Sequence, residues 1–213
     1  MIYLLAIQME QKNTTDILRE TIRSWDRGRI FFIDDFAMVP SQWGVRFGLS
    51  RLAEEGMILR LARGIYCYPK IEGEYSLKTV IPEAETIAYA LAAKDRFRII
   101  PYGDQAAYKL GLVGIRVSDL KYLTDGAPRH ICLAKGRKIY FNHTSEVRMF
   151  DYCNETMQLV SSAIRTLGED MIDPEKTRII HGHLRSVPER DFLKDITLPP
   201  AWVQKIILDI WNN

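Results

Sequence analysis

The chain has 213 residues, 47% of them hydrophobic, enough for one large or two small domains with a genuine core, so a soluble globular protein is expected. No apolar run approaches the roughly 20 residues that span a bilayer, and Met1 to Ile7 is too short and lacks the basic flank of a signal peptide, which points to the cytoplasm. A formal net charge of +2 does not by itself indicate nucleic acid, and Cys67, Cys132 and Cys153, odd in number and without a Cys-x-x-Cys pair, argue against a disulfide framework or a zinc site and read as reduced packing residues.

Asn13-Thr14-Thr15-Asp16 offers N-cap residues ahead of Ile17, Leu18, Ile22 and Trp25, whose spacing predicts a first helix ended by Gly28; the segment before it reads as a frayed extension or a packing arm, with Met9 as an alternative start. Ile33 to Met38 suits a short helix, and Val39-Pro40-Ser41-Gln42 supplies a stop, a turn and a new N-cap. A second helix is expected from about Ser41. On a 3.6-residue wheel it turns Val45, Gly48, Leu49 and Leu52 inward and Trp43, Arg46, Phe47, Ser50 and Glu54 outward. Gly56 closes it, Met57 to Leu61 alternates as a strand, Ala62-Arg63-Gly64 turns, and Ile65 to Tyr68 returns up to Pro69. This order, over residues 13–70, is that of a winged helix-turn-helix domain.

Lys70 to Lys78, with Glu72, Gly73, Glu74 and Ser76, reads as a linker to a mixed α/β domain over 79–213, giving an α+β fold class. Pro82-Glu83 is expected to open a helix with Pro at N1 and a buried stripe of Ile87, Ala88, Leu91 and Ala92. Phe97 to Ile100 follows as a strand, and Gln105 to Leu110 as a helix ended near Gly111 and Gly114. His130 to Leu133 and Lys138 to Phe141 form a predicted hairpin turned by Ala134 to Arg137. Helices return from Asn154 through Val160, Ala163, Ile164 and Leu167, and after Pro199-Pro200 through Val203, Ile206, Ile207 and Ile210.

Ser50-Arg51-Leu52, Gly56-Met57-Ile58, Arg60-Leu61 and Arg63-Gly64-Ile65-Tyr66, continued by Ile99-Ile100-Pro101, Gly103, Ala106-Ala107, Leu110-Gly111-Leu112 and Tyr122 to Gly126, form a pattern that resembles the AbiEi family. These are antitoxins of type IV abortive-infection toxin–antitoxin systems and their stand-alone regulator relatives. The resemblance covers most of the chain up to about Phe150. It implies a cytoplasmic DNA-binding repressor that autoregulates its operon through inverted repeats and opposes a nucleotidyltransferase-like toxin encoded beside it.

Charge distribution agrees with a phosphate-facing surface. From Arg46 to Lys70 five basic residues face two acidic ones, from Arg96 to Phe150 ten face four, and from Asp151 to the end ten acidic residues outnumber seven basic. The expected DNA-binding residues are Ser41, Gln42, Trp43, Arg46, Ser50 and Arg51 on the helix, and Arg60 and Arg63 on the hairpin, where phosphate or the minor groove is the target. Trp43 and Phe47, one turn apart, either meet thymine methyls or are covered by the second domain or a dimer partner; the second option is the one expected, with DNA binding then requiring the domains to separate. In the second domain Lys109, Arg116, Lys121, Arg129, Lys135, Arg137, Lys138 and Arg148, interleaved with Tyr102, Tyr108, Tyr122 and Tyr140, could touch flanking DNA or an acidic partner, or form a solvated face.

Catalysis finds little support. His181-Gly182-His183 lacks a third metal ligand at sensible spacing, Glu83 and Glu85 diverge on a helix, and neither a Walker loop nor a nucleophile elbow is present. A regulator with no enzymatic activity, cofactor or metal is expected, acting on double-stranded promoter DNA as a homodimer. A partner-binding module without DNA is the first alternative, and a nuclease or nucleotidyltransferase using Glu83 or Asp104 the second.

Overall fold

The computed structural model describes residues 13–73, 78–114, 118–134 and 136–213. The readings placed on Met1 to Ile7, Met9, Glu74, Ser76, Arg116 and Lys135 lie outside the described residues. The chain is mixed α and β and divides into two compact units, Met1–Ala90 with Leu133–Gly136, and Leu91–Cys132 with Arg137–Asn213. The division falls inside a helix, whereas the sequence pattern set it at residues 70–78.

In the first unit α1 (Thr14–Arg23) begins at Asn13, whose side chain accepts the Thr15 N–H at 3.2 Å, and it stops at Ser24 rather than continuing to Gly28. Next comes β1 (Ile30–Phe32), which the sequence reading missed, and a 3-10 turn, Ile33–Phe36, whose Asp35 carboxylate accepts the Phe32 N–H at 2.7 Å. The helix α2 (Gln42–Glu54) follows. It leads into β2 (Leu59–Ala62) and β3 (Ile65–Cys67), joined by the two-residue turn Arg63-Gly64, with Gly64 at φ +78°. The three strands form an antiparallel sheet in the order β1-β3-β2. Leu18, Ile22, Phe31, Phe36, Val45, Leu49, Leu52, Ile58 and Tyr66 close one core among these elements.

Two strands stand where a linker was expected. β4 (Lys70–Glu72) and β5 (Lys78–Val80) pair antiparallel, with all six residues exposed. Charge and Gly73 concealed them, because a ribbon solvated on both faces has no apolar alternation to read.

The helix α3 (Ala84–Asp95) buries Ile87, Ala88, Leu91 and Ala92 as expected, but it starts two residues beyond Pro82, so the proline precedes the helix instead of occupying N1. Then β6 (Ile99–Pro101), α4 (Asp104–Lys109), β7 (Leu120–Thr124), β8 (Arg129–Cys132) and β9 (Lys138–His143) follow, with sheet order β6-β7-β9-β8. The β8–β9 hairpin was legible; β7, which runs parallel to β9, was not. The C-terminal helices are α5 (Glu155–Leu167), α6 (Pro174–Leu184), α7 (Glu189–Asp195) and α8 (Ala201–Trp211). Their apolar faces share a core with Ala106 and Leu110. Buried Asp195 accepts the backbone N–H of Cys153 at 3.0 Å and of Asn154 at 2.9 Å, which fastens α7 to the start of α5. Of the cysteines only Cys67 packs inside; Cys132 and Cys153 are exposed, which corrects their reading as packing residues. Among the described residues no helix is long and apolar enough to cross a membrane.

Gly56→Ala is expected to lower stability by about 1 kcal/mol from backbone strain alone, since φ is +75° and nothing lies within 4 Å of an added Cβ. Gly48→Leu is expected to cost about 2–3 kcal/mol by overpacking against Leu18. Urea unfolding of both variants at an unchanged m-value measures this; equal losses would remove the distinction between strain and crowding.

Candidate nucleic-acid interface

The orientation of α2 is fixed at both ends and along one face. Ser41 Oγ accepts the Gly44 N–H at 3.0 Å at its start. At its end the Met57 N–H donates to the Leu52 carbonyl at 3.0 Å and the Gly56 N–H to the Ala53 carbonyl at 3.1 Å, a Schellman closure around left-handed Gly56. Val45, Gly48, Leu49 and Leu52 are buried, as the wheel required. Gly48 lets α1 come close: an added Cβ would lie 2.7 Å from Leu18 Cδ1 and 3.2 Å from Thr15 Oγ1.

With that stripe inside, the opposite face is forced into solvent. Gln42, Trp43, Arg46 and Phe47 are exposed together. Trp43 and Phe47 stack with ring centroids 5.5 Å apart and planes 8° from parallel, yet remain 75% and 57% exposed. Within the single chain the two rings thus stack on each other and are exposed among the described residues. Met38, expected in the preceding helix, instead lies in the turn after Ile33–Phe36 and is 91% exposed. Its position beside Pro40, outside any helical stripe, was the available signal.

The arginines divide by partner. Arg51 Nε lies 3.3 Å from Glu55, which Arg19 also holds at 2.7 Å, so Arg51 is engaged along the helix flank. Ser50 is half-buried and donates its hydroxyl to Glu54 at 3.3 Å. By contrast Arg46, Arg60 and Arg63 are exposed and make no ion pair with any described residue. Arg60 lies on β2 opposite Tyr66, and Arg63 forms the hairpin turn. The structure thus brings Gln42, Trp43, Arg46 and Phe47 onto one exposed face, uses Ser41 as a cap, and occupies Ser50 and Arg51 with neighbouring carboxylates.

The second unit's basic residues are less available. Arg129 pairs with Asp95 at 2.6 Å and lies 4.8 Å over the Phe97 ring, Arg137 donates to the Ser118 carbonyl at 2.6 Å, and Arg148 to the Thr197 carbonyl at 3.2 Å. Tyr122 is fully buried, which removes it from any surface role. An open cavity of about 420 Å³ is lined by Asp95, Arg96, Phe97, Asp125, Gly126, Ala127 and Arg129. Burial pushes the carboxyls of Asp95 and Asp125 up, but hydrogen bonds from Arg129 and Lys94 on the first and from Arg98 on the second leave both below their ordinary value. Sequence reading missed this cluster because its members come from distant segments, Arg129 and Asp95 on one side, Arg98 and Asp125 on the other. His183 Nε2 lies 3.0 Å from the Leu110 carbonyl, and among the described residues no group of His, Cys, Asp and Glu could hold a metal ion.

These elements make a two-unit α+β chain carrying an exposed aromatic and basic helix face. It belongs to a family of unknown function, DUF6088, whose pattern matches residues 17–192. No curated protein matches the chain. Among solved structures, the RV2827C protein from Mycobacterium tuberculosis is similar, with a TM-score of 0.44 and 12% identity over 90% of this chain and 79% of that one.

Arg19 and Arg51 together hold the Glu55 carboxyl below its ordinary value of 4.5, Arg19 having the larger effect. A depressed carboxylate stabilises the fold above its unfolded value and loses that contribution as pH falls through the folded one. Glu55→Gln is therefore expected to flatten the acid limb of stability in unfolding titrations from neutral pH downward, and an unchanged limb would show that the pairs do not couple to folding.

Proposed function

We propose that this chain is a DNA-binding transcriptional regulator whose N-terminal unit acts as a winged helix-turn-helix, and that it serves as antitoxin and autorepressor of a type IV toxin–antitoxin system. The observation that carries the DNA reading is the exposed face of α2, where Gln42 and Arg46, the latter without an ion pair among the described residues, flank the exposed Trp43–Phe47 stack. In support, the order helix, strand, 3-10 turn, helix, hairpin and the strand order β1-β3-β2 are those of a winged helix. The antitoxin and autorepressor roles rest on the AbiEi resemblance, as do the cytoplasmic setting and a cognate toxin.

In this reading α2 enters the major groove. Arg46 reads guanine bidentately and Gln42 reads adenine, each good pair discriminating by about 1–3 kcal/mol. Trp43 and Phe47 offer apolar contact to thymine methyls. Ser41 fixes the helix start, so its own contribution is to aim the first turn and its backbone N–H groups at phosphate. Arg60 and Arg63 neutralise phosphates from the hairpin, and Arg51, with Ser50 beside it, joins them once it exchanges Glu55 for phosphate. A single helix of this size reads few base pairs, so the unit works as a homodimer on an inverted repeat. No step of this mechanism requires catalysis.

The open aromatic stack favours a second reading, in which α2 docks a partner protein. Salt dependence separates the two. Fluorescence anisotropy on the upstream promoter duplex is expected to show binding that weakens with salt. Arg60→Ala and Arg63→Ala should each reduce the log–log salt slope by about 0.9 and weaken all sequences alike. Arg46→Ala should instead relax preference at one or two base pairs. Absent or salt-insensitive duplex binding would overturn the DNA reading in favour of the protein partner, and a uniform loss at Arg46 would refute the division of labour.

A further inference from the structure

The ribbon β4–β5 is poorly explained by the chain alone. An isolated two-stranded hairpin is at best marginally stable in water. Here all six ladder residues are exposed, and Ile71, Val80 and the adjoining Ile81 remain 46%, 36% and 44% exposed. Among the described residues β4 pairs with β5 alone, and no backbone hydrogen bond joins Lys70, Ile71 or Glu72 to any other described segment. Among the described residues one edge of β4 is therefore an open row of donors and acceptors, which proteins ordinarily blunt or cover.

The sequence of that edge specifies what covers it. We propose that β4 is the self-association strand of this chain: two copies pair Lys70–Glu72 antiparallel about a two-fold axis through Ile71, giving a four-stranded sheet in the order β5-β4-β4-β5. In that register Lys70 of one copy faces Glu72 of the other, twice over, and the two Ile71 side chains meet on the opposite face. The alternatives are worse. Parallel pairing sets Lys70 against Lys70 and Glu72 against Glu72, and pairing through Thr79 on β5 sets Lys78 against Val80 with no charge match. A two-fold contact of this kind is isologous and closes on itself, so it stops at the dimer.

Three residues a side make a small contact, so the dimer is weak in free solution. Its use rests on the DNA reading: β4 and α2 belong to the same compact unit, so a two-fold axis at β4 relates two copies of α2 and lets an inverted repeat add its two half-sites.

Sedimentation velocity of the full chain from about 5 µM to about 500 µM, without DNA, is expected to show a monomer–dimer equilibrium. Ile71→Arg places two cations at the axis on a side chain already exposed in the monomer. Lys70→Glu sets one carboxylate against another, that of Glu72 in the second copy, without changing an ion pair inside the ribbon, because the cross-strand neighbour of Lys70 is Val80. Each is expected to weaken the dimer at least about tenfold with unchanged circular dichroism and thermal midpoint. The triple variant Lys70→Glu, Glu72→Lys, Lys78→Glu restores opposite charges both between copies and across the ribbon, and is expected to dimerise again. A chain that stays monomeric, or one whose dimer ignores both single substitutions, overturns the proposal. Duplex binding is scored separately: a monomer that still binds promoter DNA removes the ribbon contact alone, while a dimer that binds none removes the DNA reading alone.

Discussion

The constraint on which the rest depends is the burial of one stripe of α2 against α1. Gly48 brings the two helices within the reach of Leu18 and Thr15, and Val45, Leu49 and Leu52 fill the core on either side of it. Once this stripe is inside, the roughly 100° step of the helix leaves Trp43, Arg46 and Phe47 no inward position. Their exposure is therefore not slack in the packing. It is the necessary outer half of an amphipathic helix whose inner half is satisfied, and whose rotation is locked by Ser41 at one end and Gly56 at the other.

The same economy separates structural from available charge. Arg129 is neutralised by Asp95 and stacked on Phe97, and Arg98 is held by Asp125 at 2.8 Å and Asp151 at 3.3 Å, so these guanidinium groups serve the second unit's own cohesion. Arg46, Arg60 and Arg63 have no such duty among the described residues. A basic count along the sequence does not make this distinction, because the partners of Arg129 and Arg98 arrive from distant segments. A cation left without a carboxylate on an exposed face is cheap to keep hydrated and ready to exchange water for phosphate.

Much of the first unit was legible because its signals are local. The first helix is capped by Asn13, from the stretch Asn13 to Asp16 expected to supply its cap, α2 is capped by Ser41, from the stretch Val39 to Gln42, and the buried set of α2 follows from spacing alone. What escaped depended on partners far along the chain. β1 is three residues that become a strand only beside β3, and β7 gains its identity from a parallel neighbour, β9, that periodicity cannot name. The ribbon escaped for a different reason: with both faces in water it has no buried side to impose a pattern. As for the site, the sequence placed the exposed face of α2 correctly but not the engagement of Arg51 and Ser50 by Glu55 and Glu54, nor the mutual stacking of Trp43 and Phe47, which depends on rotamers.

The central claim is that the outward face of α2 meets duplex DNA. Its most direct test is photo-crosslinking from a benzoylphenylalanine placed at position 47, in the presence of the upstream promoter duplex, against a control at exposed Leu208 on α8. A DNA adduct formed from position 47, competed away by unlabelled specific duplex and not formed from position 208, is the expected result. An adduct from both positions alike, or from neither while the duplex is bound, would contradict it.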